Sequence, residues 1–169
     1  MTRIGLISDT HSHLDERFTD LFKDVDEIWH AGDVGSMSVI EELERFKPIR
    51  GVYGNIDDHV IRATWPKVNH FDCEGMSVLM THIAGKPYKY NKEAYAAIEE
   101  YKPNIFICGH SHILLVQFDK NINSLWLNSG ACGYKGFHKV KTILRFTVDN
   151  GNVKDMEAIE LGVKSKVNL

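Results

Sequence analysis

The chain is predicted to fold as an α/β domain in which two sheets pack face to face with helices on the outside. Short apolar runs alternate with helical patterns over the first two-thirds of the sequence, which favours β-α-β units with parallel strands. The last third contains successive strand patterns without a helix, which favours a meander. The length of 169 residues suits one compact domain, so we expect a single domain over residues 1–169.

The strands are predicted from short apolar runs bounded by turn residues. They cover residues 4–8, 27–31, 49–53, 67–72, 76–80, 104–108, 113–118, 124–127, 142–148 and 153–160. Asn150-Gly151 predicts a tight hairpin turn between the last two strands, because both residues tolerate positive φ.

Three helices are predicted between these strands. A helix is predicted over residues 15–23, and Phe18, Leu21 and Phe22 share one face with the preceding Leu14. Residues 38–46 form the second helix, with Ser38 and Glu41 at capping-box spacing. Residues 91–101 form the third, with Asn91 as the cap and with Tyr95 and Ile98 facing inward.

Composition excludes several classes of protein. Twenty Lys and Arg against 23 Asp and Glu give a net charge of −3, which argues against a nucleic-acid partner. The cysteines Cys73, Cys108 and Cys132 are far apart and form no C-x-x-C pair, which argues against disulfides and thiolate zinc sites. No run approaches the ~18 apolar residues of a membrane helix. We therefore expect a soluble, cytoplasmic protein without a membrane partner.

Five of the predicted strands run directly into residues that can bind a metal ion. These clusters are Asp9-Thr10-His11, Gly32-Asp33, Gly54-Asn55, Thr81-His82 and Gly109-His110-Ser111-His112. Ligands of open α/β sheets bind beyond the carboxyl ends of the strands, so five such ends in one sheet would converge on one crevice. Glycine precedes the ligand in three clusters, where it lets the backbone turn sharply and come close.

Seven candidate ligands result from these clusters. They are Asp9, His11, Asp33, Asn55, His82, His110 and His112. Carboxylate, imidazole and amide oxygen together suit Mn²⁺, Zn²⁺ or Fe²⁺. Seven ligands are too many for one closed site, and they suit two metals that share a bridging carboxylate.

Each of these residues, taken alone, could instead have a purely structural role. One Asp or His after a strand is more often a turn residue or a cap than a ligand, and His30 is interpreted as a buried residue of this kind beside Trp29. The two histidines of the Gly-His-Ser-His segment face the same crevice only if the chain turns between them. The prediction therefore depends on all five clusters occurring together and in this order.

The five clusters resemble the calcineurin-like metallophosphoesterases, whose sequences read D-x-H, G-D, G-N, a His at a strand end, and G-H-x-H. The small size and the opening Ser8-Asp9-Thr10-His11 are most similar to the short YfcE-type phosphodiesterase branch. The resemblance implies a four-layer α/β/β/α sandwich of two mixed sheets. It also implies two divalent metal ions, with Mn²⁺ expected and Fe²⁺, Zn²⁺ or Ni²⁺ as alternatives.

Roles follow from the resemblance residue by residue. Asp9, His11 and His112 would hold the first metal, Asp33 would bridge both metals, and Asn55, His82 and His110 would complete the second. The implied reaction is hydrolysis of a phosphate ester, with a phosphodiester favoured, by attack of a metal-bridging hydroxide. The substrate is expected to be a small phosphate ester. Small relatives often form dimers or tetramers, so the resemblance makes a homodimer or a homotetramer possible, and the oligomeric state stays open.

The sequence departs from the family where a general acid is often found. The family's G-N block often continues with His, whereas this chain has Ile56, which cannot donate a proton. His13, His59 and His138 are the remaining candidates for the acid, with a surface role as the alternative for each. Without an acid, a substrate with a good leaving group is favoured, which again indicates diesters or activated esters.

Four further possibilities stay open from the sequence. The loop 85–90 after His82 offers Lys86, Lys89 and two tyrosines to a phosphate or a ring, or it is a solvated loop. A metal-binding interaction scaffold, resembling the small retromer subunit, is the alternative to an enzyme. A single-metal hydrolase would leave Asn55 and one His without a role, and a nuclease is disfavoured by the acidic charge.

Overall fold

The computed structural model describes residues 1–163 and contains twelve strands and four helices. In chain order they are β1 (Thr2–Ile7), α1 (Phe18–Leu21), β2 (Glu27–His30), α2 (Met37–Phe46), β3 (Ile49–Gly51), α3 (His59–Thr64), β4 (Val68–Cys73), β5 (Met76–Thr81), β6 (Gly85–Lys86), β7 (Lys89–Tyr90), α4 (Lys92–Tyr101), β8 (Ile105–Ile107), β9 (Leu114–Asp119), β10 (Ser124–Ser129), β11 (Val140–Asp149) and β12 (Asn152–Val163).

Ten of the strands form two five-stranded sheets, and β6 and β7 form a separate hairpin. The first sheet has the order β12-β11-β1-β2-β3, and the second has the order β4-β5-β8-β10-β9. Both sheets are mixed. β1, β2 and β3 run parallel in the first sheet and β5, β8 and β10 run parallel in the second, while the outer strands β11, β12, β4 and β9 pair antiparallel.

The core consists of three apolar clusters that define four layers. The central cluster joins the facing sides of the two sheets, for example Leu6 and Trp29 to Met80 and Ile107. A second cluster packs α1, α2 and α3 against the first sheet, and a third packs α4 against the second sheet. Burial of apolar side chains on both faces of each sheet stabilises this α/β/β/α arrangement. The four-layer fold predicted from the family resemblance is therefore confirmed.

Several local predictions are confirmed by the structure. All ten predicted strands are present, and Asn150 and Gly151 have φ values of 47° and 80° at the hairpin between β11 and β12. The Asn91 side chain accepts a hydrogen bond from the Ala94 N–H at the start of α4. The three cysteines are buried and free.

Other local predictions are wrong. The helix predicted over 15–23 is reduced to the four residues of α1, because the Asp15 carboxylate binds the backbone and side chain of Arg17 and holds a turn there. The helix α2 begins after Ser36, so Ser38 lies inside it and no capping box forms. Tyr95 is 50% exposed, whereas Ile98 is buried as predicted.

No helix in residues 1–163 is long and apolar enough to cross a membrane. The prediction of one domain over 1–169 includes residues 164–169, which lie outside the described part of the chain.

Candidate metal centre

The five predicted clusters lie directly after the carboxyl ends of β1, β2, β3, β5 and β8. Three of these strands belong to the first sheet and two belong to the second, so the prediction that they share one sheet is wrong. The clusters still converge, because the two sheets pack face to face and the carboxyl ends of their parallel strands reach the same edge. The crevice is thus shared by both sheets.

The backbone turns sharply at five of the ligand positions. Asp9, His11, Asp33, His110 and His112 have φ values of 56°, 45°, 55°, 69° and 60°. Residues other than glycine rarely adopt positive φ, and such strained conformations cluster at functional sites. The positive φ at both His110 and His112 supplies the turn that the predicted i, i+2 pair requires.

The glycines before the ligands allow segments from different strands to touch. A Cβ atom at Gly54 would collide with the Asp33 carboxylate and backbone, and one at Gly109 would collide with Ser8 Oγ. Glycine is therefore required at these two positions so that the loops after β3 and β8 can reach the carboxylates.

The ligand side chains form two groups. The first, called the Asp9 group, consists of Asp9, His11 and His112, and the second, called the Asp33 group, contains Asp33, His82 and His110. Within each group the potential ligand atoms lie within 4.8 Å of one another. Asn55 belongs to the second group as well, because its Oδ1 lies 3.1 Å from His110 Nδ1. All seven predicted ligands are therefore brought together, and their role as ligands stays a prediction.

Asp33 lies between the two groups. Its Oδ2 atom is 3.4 Å from His11 Nε2 in the Asp9 group and 3.2 Å from His82 Nε2 in its own group. Its Oδ1 atom accepts a hydrogen bond from the Ile56 N–H. One carboxylate oxygen thus faces imidazoles from both groups, which is the position expected for a bridging ligand.

The imidazole nitrogens that face the carboxylates fit metal ligands. His82 Nδ1–H donates to the Ala31 carbonyl at 2.7 Å, which leaves a lone pair on Nε2. The buried Nε2 atoms of both His82 and His11 have no hydrogen-bond partner among residues 1–163. Because a buried nitrogen without a partner is costly, and because these atoms face ionised carboxylates, the residues fit a pair of divalent cations.

A chain of hydrogen bonds fixes the orientation of His112. His138 Nε2–H donates to the Gly133 carbonyl at 2.8 Å, so in the neutral ring His138 Nδ1 is an acceptor. His112 Nδ1–H donates to it at 3.1 Å, which leaves His112 Nε2 unprotonated, 3.1 Å from Asp9 Oδ1. Outer hydrogen bonds of this kind fix the tautomer and the ring orientation of metal-binding histidines.

The carboxylates and imidazoles of the crevice shift one another's pKa values. Burial raises the pKa of Asp9, but its contact with the His112 ring and the nearby His82 lower it by a larger amount, so its pKa lies below the ordinary value. The pKa of Asp33 is lowered in the same way, against burial, chiefly by His82. Burial lowers the pKa of His82, yet Asp33 and Asp9 raise it above its ordinary value. A proton and a metal cation therefore compete for the same position.

Asp57 supports the centre and was not identified from the sequence. Its buried carboxylate accepts hydrogen bonds from the N–H groups of Val34, Gly35 and Gly54, at 2.7 to 3.1 Å. It thereby ties the loop that carries Asp33 to the loop that carries Asn55. The signal available in the sequence was an Asp two residues beyond a Gly-Asn turn, and such residues commonly bind backbone N–H groups.

His30 is buried, as predicted, and is part of the same support. Its Nδ1 accepts a hydrogen bond from the Gly32 N–H at 3.1 Å, and its Nε2–H donates to Thr10 Oγ1 at 3.0 Å. Thr10 in turn donates to the Val34 carbonyl. Burial lowers the pKa of His30 to about 4, which keeps the ring neutral and able to accept from Gly32.

The candidates for the general acid lie outside both ligand groups. His13 packs against Tyr134 with ring centroids 4.1 Å apart and lines a separate cavity with Asp15 and Arg17. His59 is exposed at the start of α3. Their catalytic role stays a prediction. His138 instead contacts His112 directly, as described above.

Comparison with known proteins agrees with this geometry. The sequence model of the calcineurin-like phosphoesterase superfamily domain matches residues 2–151. This chain belongs to that superfamily. The family resemblance inferred from the five clusters is therefore confirmed, and the family uses divalent metal ions in phosphoester hydrolysis.

Individual relatives of this calcineurin-like phosphoesterase include a protein from Methanothermobacter thermautotrophicus that is named as a metallophosphoesterase. It is 35% identical over 114 residues, which span 64% of this chain and 66% of the relative. The chain thus matches just under two-thirds of the length of that relative.

Two solved structures show the same fold. One is described as a novel archaeal phosphodiesterase, with a TM-score of 0.74, 23% identity and coverage of 94% of this chain and 99% of that one. The other is Vps29 of Entamoeba histolytica in complex with Zn²⁺, with a TM-score of 0.70, 15% identity and coverage of 95% and 99%. At these identities the likeness concerns the fold.

Proposed function

We propose that this calcineurin-like phosphoesterase hydrolyses a small phosphodiester at a pair of divalent metal ions. The observation that carries the proposal is the position of Asp33, whose Oδ2 lies within 3.4 Å of imidazoles from both ligand groups. A shared carboxylate is what distinguishes a two-metal site from two separate single sites. Mn²⁺ is the proposed metal, with Fe²⁺, Zn²⁺ and Ni²⁺ as alternatives that the same ligands accept.

The roles of the residues follow from their contacts. Asp9, His11 and His112 would hold one metal, and His82, His110 and Asn55 would hold the other, with Asp33 between them. When bound, such a pair acidifies water and stabilises the charge that develops on phosphate oxygens. Asn55 and His110 are the exposed members of the set, which supports a contact between them and the phosphate.

The surroundings of the centre favour a substrate with a good leaving group. Ile56 is 46% exposed where the family often has His, and its N–H holds the Asp33 carboxylate instead. The ring nitrogens of His11 and His82 face carboxylates or backbone. His112 contacts Asp9 and His138, and His110 Nδ1 contacts the Asn55 side chain. A leaving oxygen would therefore receive little help from a protein acid, which supports diesters or activated esters over unactivated monoesters.

One cavity adjoins the centre and a second lies beside the Gly-His-Ser-His segment, which supports a substrate with two substituents on the phosphate. One, of about 290 Å³, is lined by Asn55 and His82 together with Tyr53, Arg62 and Lys67. The other, of about 500 Å³, is lined by Ser111, which lies between the ligands His110 and His112. A phosphodiester places one substituent on each side of the phosphorus, so one cavity can receive each substituent. A monoester would use only one of them.

The test compares matched aryl substrates. Bis(4-nitrophenyl) phosphate and 4-nitrophenyl phosphate share a leaving group and differ only in the second ester bond. With Mn²⁺ added, we expect kcat/KM for the diester to exceed that for the monoester by at least roughly ten-fold. A strong preference for the monoester would count against the proposal.

The second candidate is a metal-binding scaffold of the same fold, which the likeness to Vps29 favours. Measurement of bound metal together with the diester assay separates the two. Metal bound at both groups without turnover of any aryl phosphate would favour the scaffold, whereas turnover that requires the metal would favour the enzyme.

A further inference from the structure

The cavity beside the Gly-His-Ser-His segment has an apolar floor. Its volume is about 500 Å³, which lies within the range of small-molecule sites. Ile113, Leu115 and Trp126 form the floor. Leu115 and Trp126 lie on the same face of the second sheet, since both belong to the cluster on the α4 side. Ile113 is 65% exposed at the open end.

Trp126 has an unused donor within this floor. Its side chain is only 2% exposed, and its indole N–H has no acceptor among residues 1–163. A buried N–H without a partner costs free energy. Trp126 lines the cavity, so a bound ligand would make apolar contact with the edge of the indole that faces it.

The side of the cavity next to the centre is polar. Ser111 Oγ accepts hydrogen bonds from Asn128 Nδ2 at 3.1 Å and from the Ile113 N–H at 3.2 Å. Its O–H therefore remains to donate into the cavity. Ser111 lies in the chain between the proposed metal ligands His110 and His112, so the cavity borders the segment that carries them.

The opposite side carries two cations on the β6–β7 hairpin. Lys86 and Lys89 line the cavity, and neither ammonium group has a partner in the described part of the chain. The hairpin is held in place by Asp119, whose Oδ2 accepts hydrogen bonds from the Tyr88 N–H at 3.1 Å and the Tyr90 O–H at 2.5 Å. The backbone that carries the two lysines is therefore anchored to β9.

We propose that this cavity binds the leaving group of the substrate, as a flat apolar ring that carries an anionic substituent at its far end. The ring would lie on Ile113, Leu115 and Trp126, and the anion would meet Lys86 and Lys89. The inference rests on the proposed function for the position of the phosphate, and it adds the chemical class of the group attached to it.

The experiment uses phosphonates, which bind without being hydrolysed. Dissociation constants of methylphosphonate, phenylphosphonate and 4-carboxyphenylphosphonate are measured by calorimetry on the metal-loaded protein. We expect phenylphosphonate to bind roughly ten-fold more tightly than methylphosphonate, because the ring removes apolar surface from water. We expect the 4-carboxyl group to add a further factor of roughly three to ten through the two lysines.

Variants show which residues cause the preference for the ring and which cause the gain from the carboxyl group. Leu115→Asn and Ile113→Asn are each expected to remove most of the preference for the ring. Val116→Asn is the matched control, because Val116 is exposed on the same strand and does not line the cavity. The double variant Lys86→Gln/Lys89→Gln is expected to keep the preference for the ring and to lose the gain from the carboxyl group. Thermal unfolding identifies any variant that fails to fold, and Ile113→Asn, at an exposed position, then carries the test.

Equal affinity for phenylphosphonate and methylphosphonate in the unmodified protein would overturn the inference. So would a preference for the ring that survives both Ile113→Asn and Leu115→Asn. These outcomes are distinct from failure of the proposed function. Absence of diester hydrolysis with an intact ring preference would refute the reaction and leave the ring site standing.

Discussion

The two ligand groups differ in how far they are enclosed. In the Asp9 group, Asp9 is fully buried and the side chains of His11 and His112 are 14% and 13% exposed. In the Asp33 group, Asp33 and His82 are buried, but His110 and Asn55 are exposed. The first group is therefore enclosed, whereas the second is closed at its base and open towards solvent.

The hydrogen bonds that orient the ligand residues also differ between the two groups. Asp9 Oδ2 accepts hydrogen bonds from Ser8 Oγ at 2.5 Å and from the His110 N–H at 3.2 Å, and His112 is oriented by His138. In the second group, the exposed His110 and Asn55 contact each other. In the proposed two-metal centre, the first group would retain its metal and the second would present its metal to the substrate, with Asp33 between them.

Removal of the shared carboxylate is expected to have the largest effect. Asp33→Ala should reduce kcat/KM for a diester by on the order of 10³-fold or more, because both groups lose a ligand and losses from outer residues alone are about 10–100-fold. The assay uses bis(4-nitrophenyl) phosphate with added Mn²⁺. Asp20→Ala, an exposed carboxylate on α1, is the control and should retain full activity. A fall in kcat/KM of less than ten-fold in Asp33→Ala would contradict the proposal that both ligand groups share this carboxylate.

The next effect concerns stability and pH. Because the pKa of the buried His30 is about 4 in the folded protein and about 6.5 when unfolded, the unfolded chain binds more protons between these values. His30 should therefore contribute no penalty above pH 6.5, and it should lower the free energy of unfolding by about 3 kcal/mol as the pH falls to 4.

The measurement for His30 is chemical denaturation with a chelator present at a series of pH values. The variant His30→Gln lacks this titration, so the difference between the two proteins should shrink as the pH falls from 6.5 to 4. His70→Gln, at an exposed histidine that stacks on Tyr101, serves as the control. A pH-independent difference between the parent protein and His30→Gln would refute the assignment.

Replacement of His138 is expected to have a smaller effect, mainly on metal affinity at the Asp9 group. His138→Phe keeps a ring but removes the acceptor for His112 Nδ1–H, so His112 loses its fixed orientation. We expect the affinity of the tighter metal to fall about 10–100-fold, as measured by competition with a chromogenic chelator. His138→Gln, which can still accept, should recover part of the loss. Equal affinities in His138→Phe and the parent protein would show that the contact is incidental.

The strand ends and their ligands could be predicted because the information is local. Asp9, Asp33 and His82 each follow an apolar strand within three residues, and such spacing can be recognised without tertiary structure. The caps at Asn91 and the turn at Asn150-Gly151 are local in the same way.

The supporting contacts could not be predicted because they join distant segments. Asp57 contacts N–H groups more than twenty residues away, and His112 contacts His138 across 26 residues. The short hairpin β6–β7 depends on Asp119, and the turn before α1 is held by Lys141, which binds Asp15 at 3.2 Å. The division of the parallel strands between two sheets is also a tertiary property, because either sheet would satisfy the same apolar pattern.

The most direct test is the metal content of the protein purified without chelator, measured by mass spectrometry for the parent chain and for Asp33→Ala. A carboxylate shared by two cations predicts roughly two metal ions per chain in the parent and fewer than about one in the variant. A ratio near one in the parent, or an unchanged ratio in Asp33→Ala, would contradict the two-metal centre.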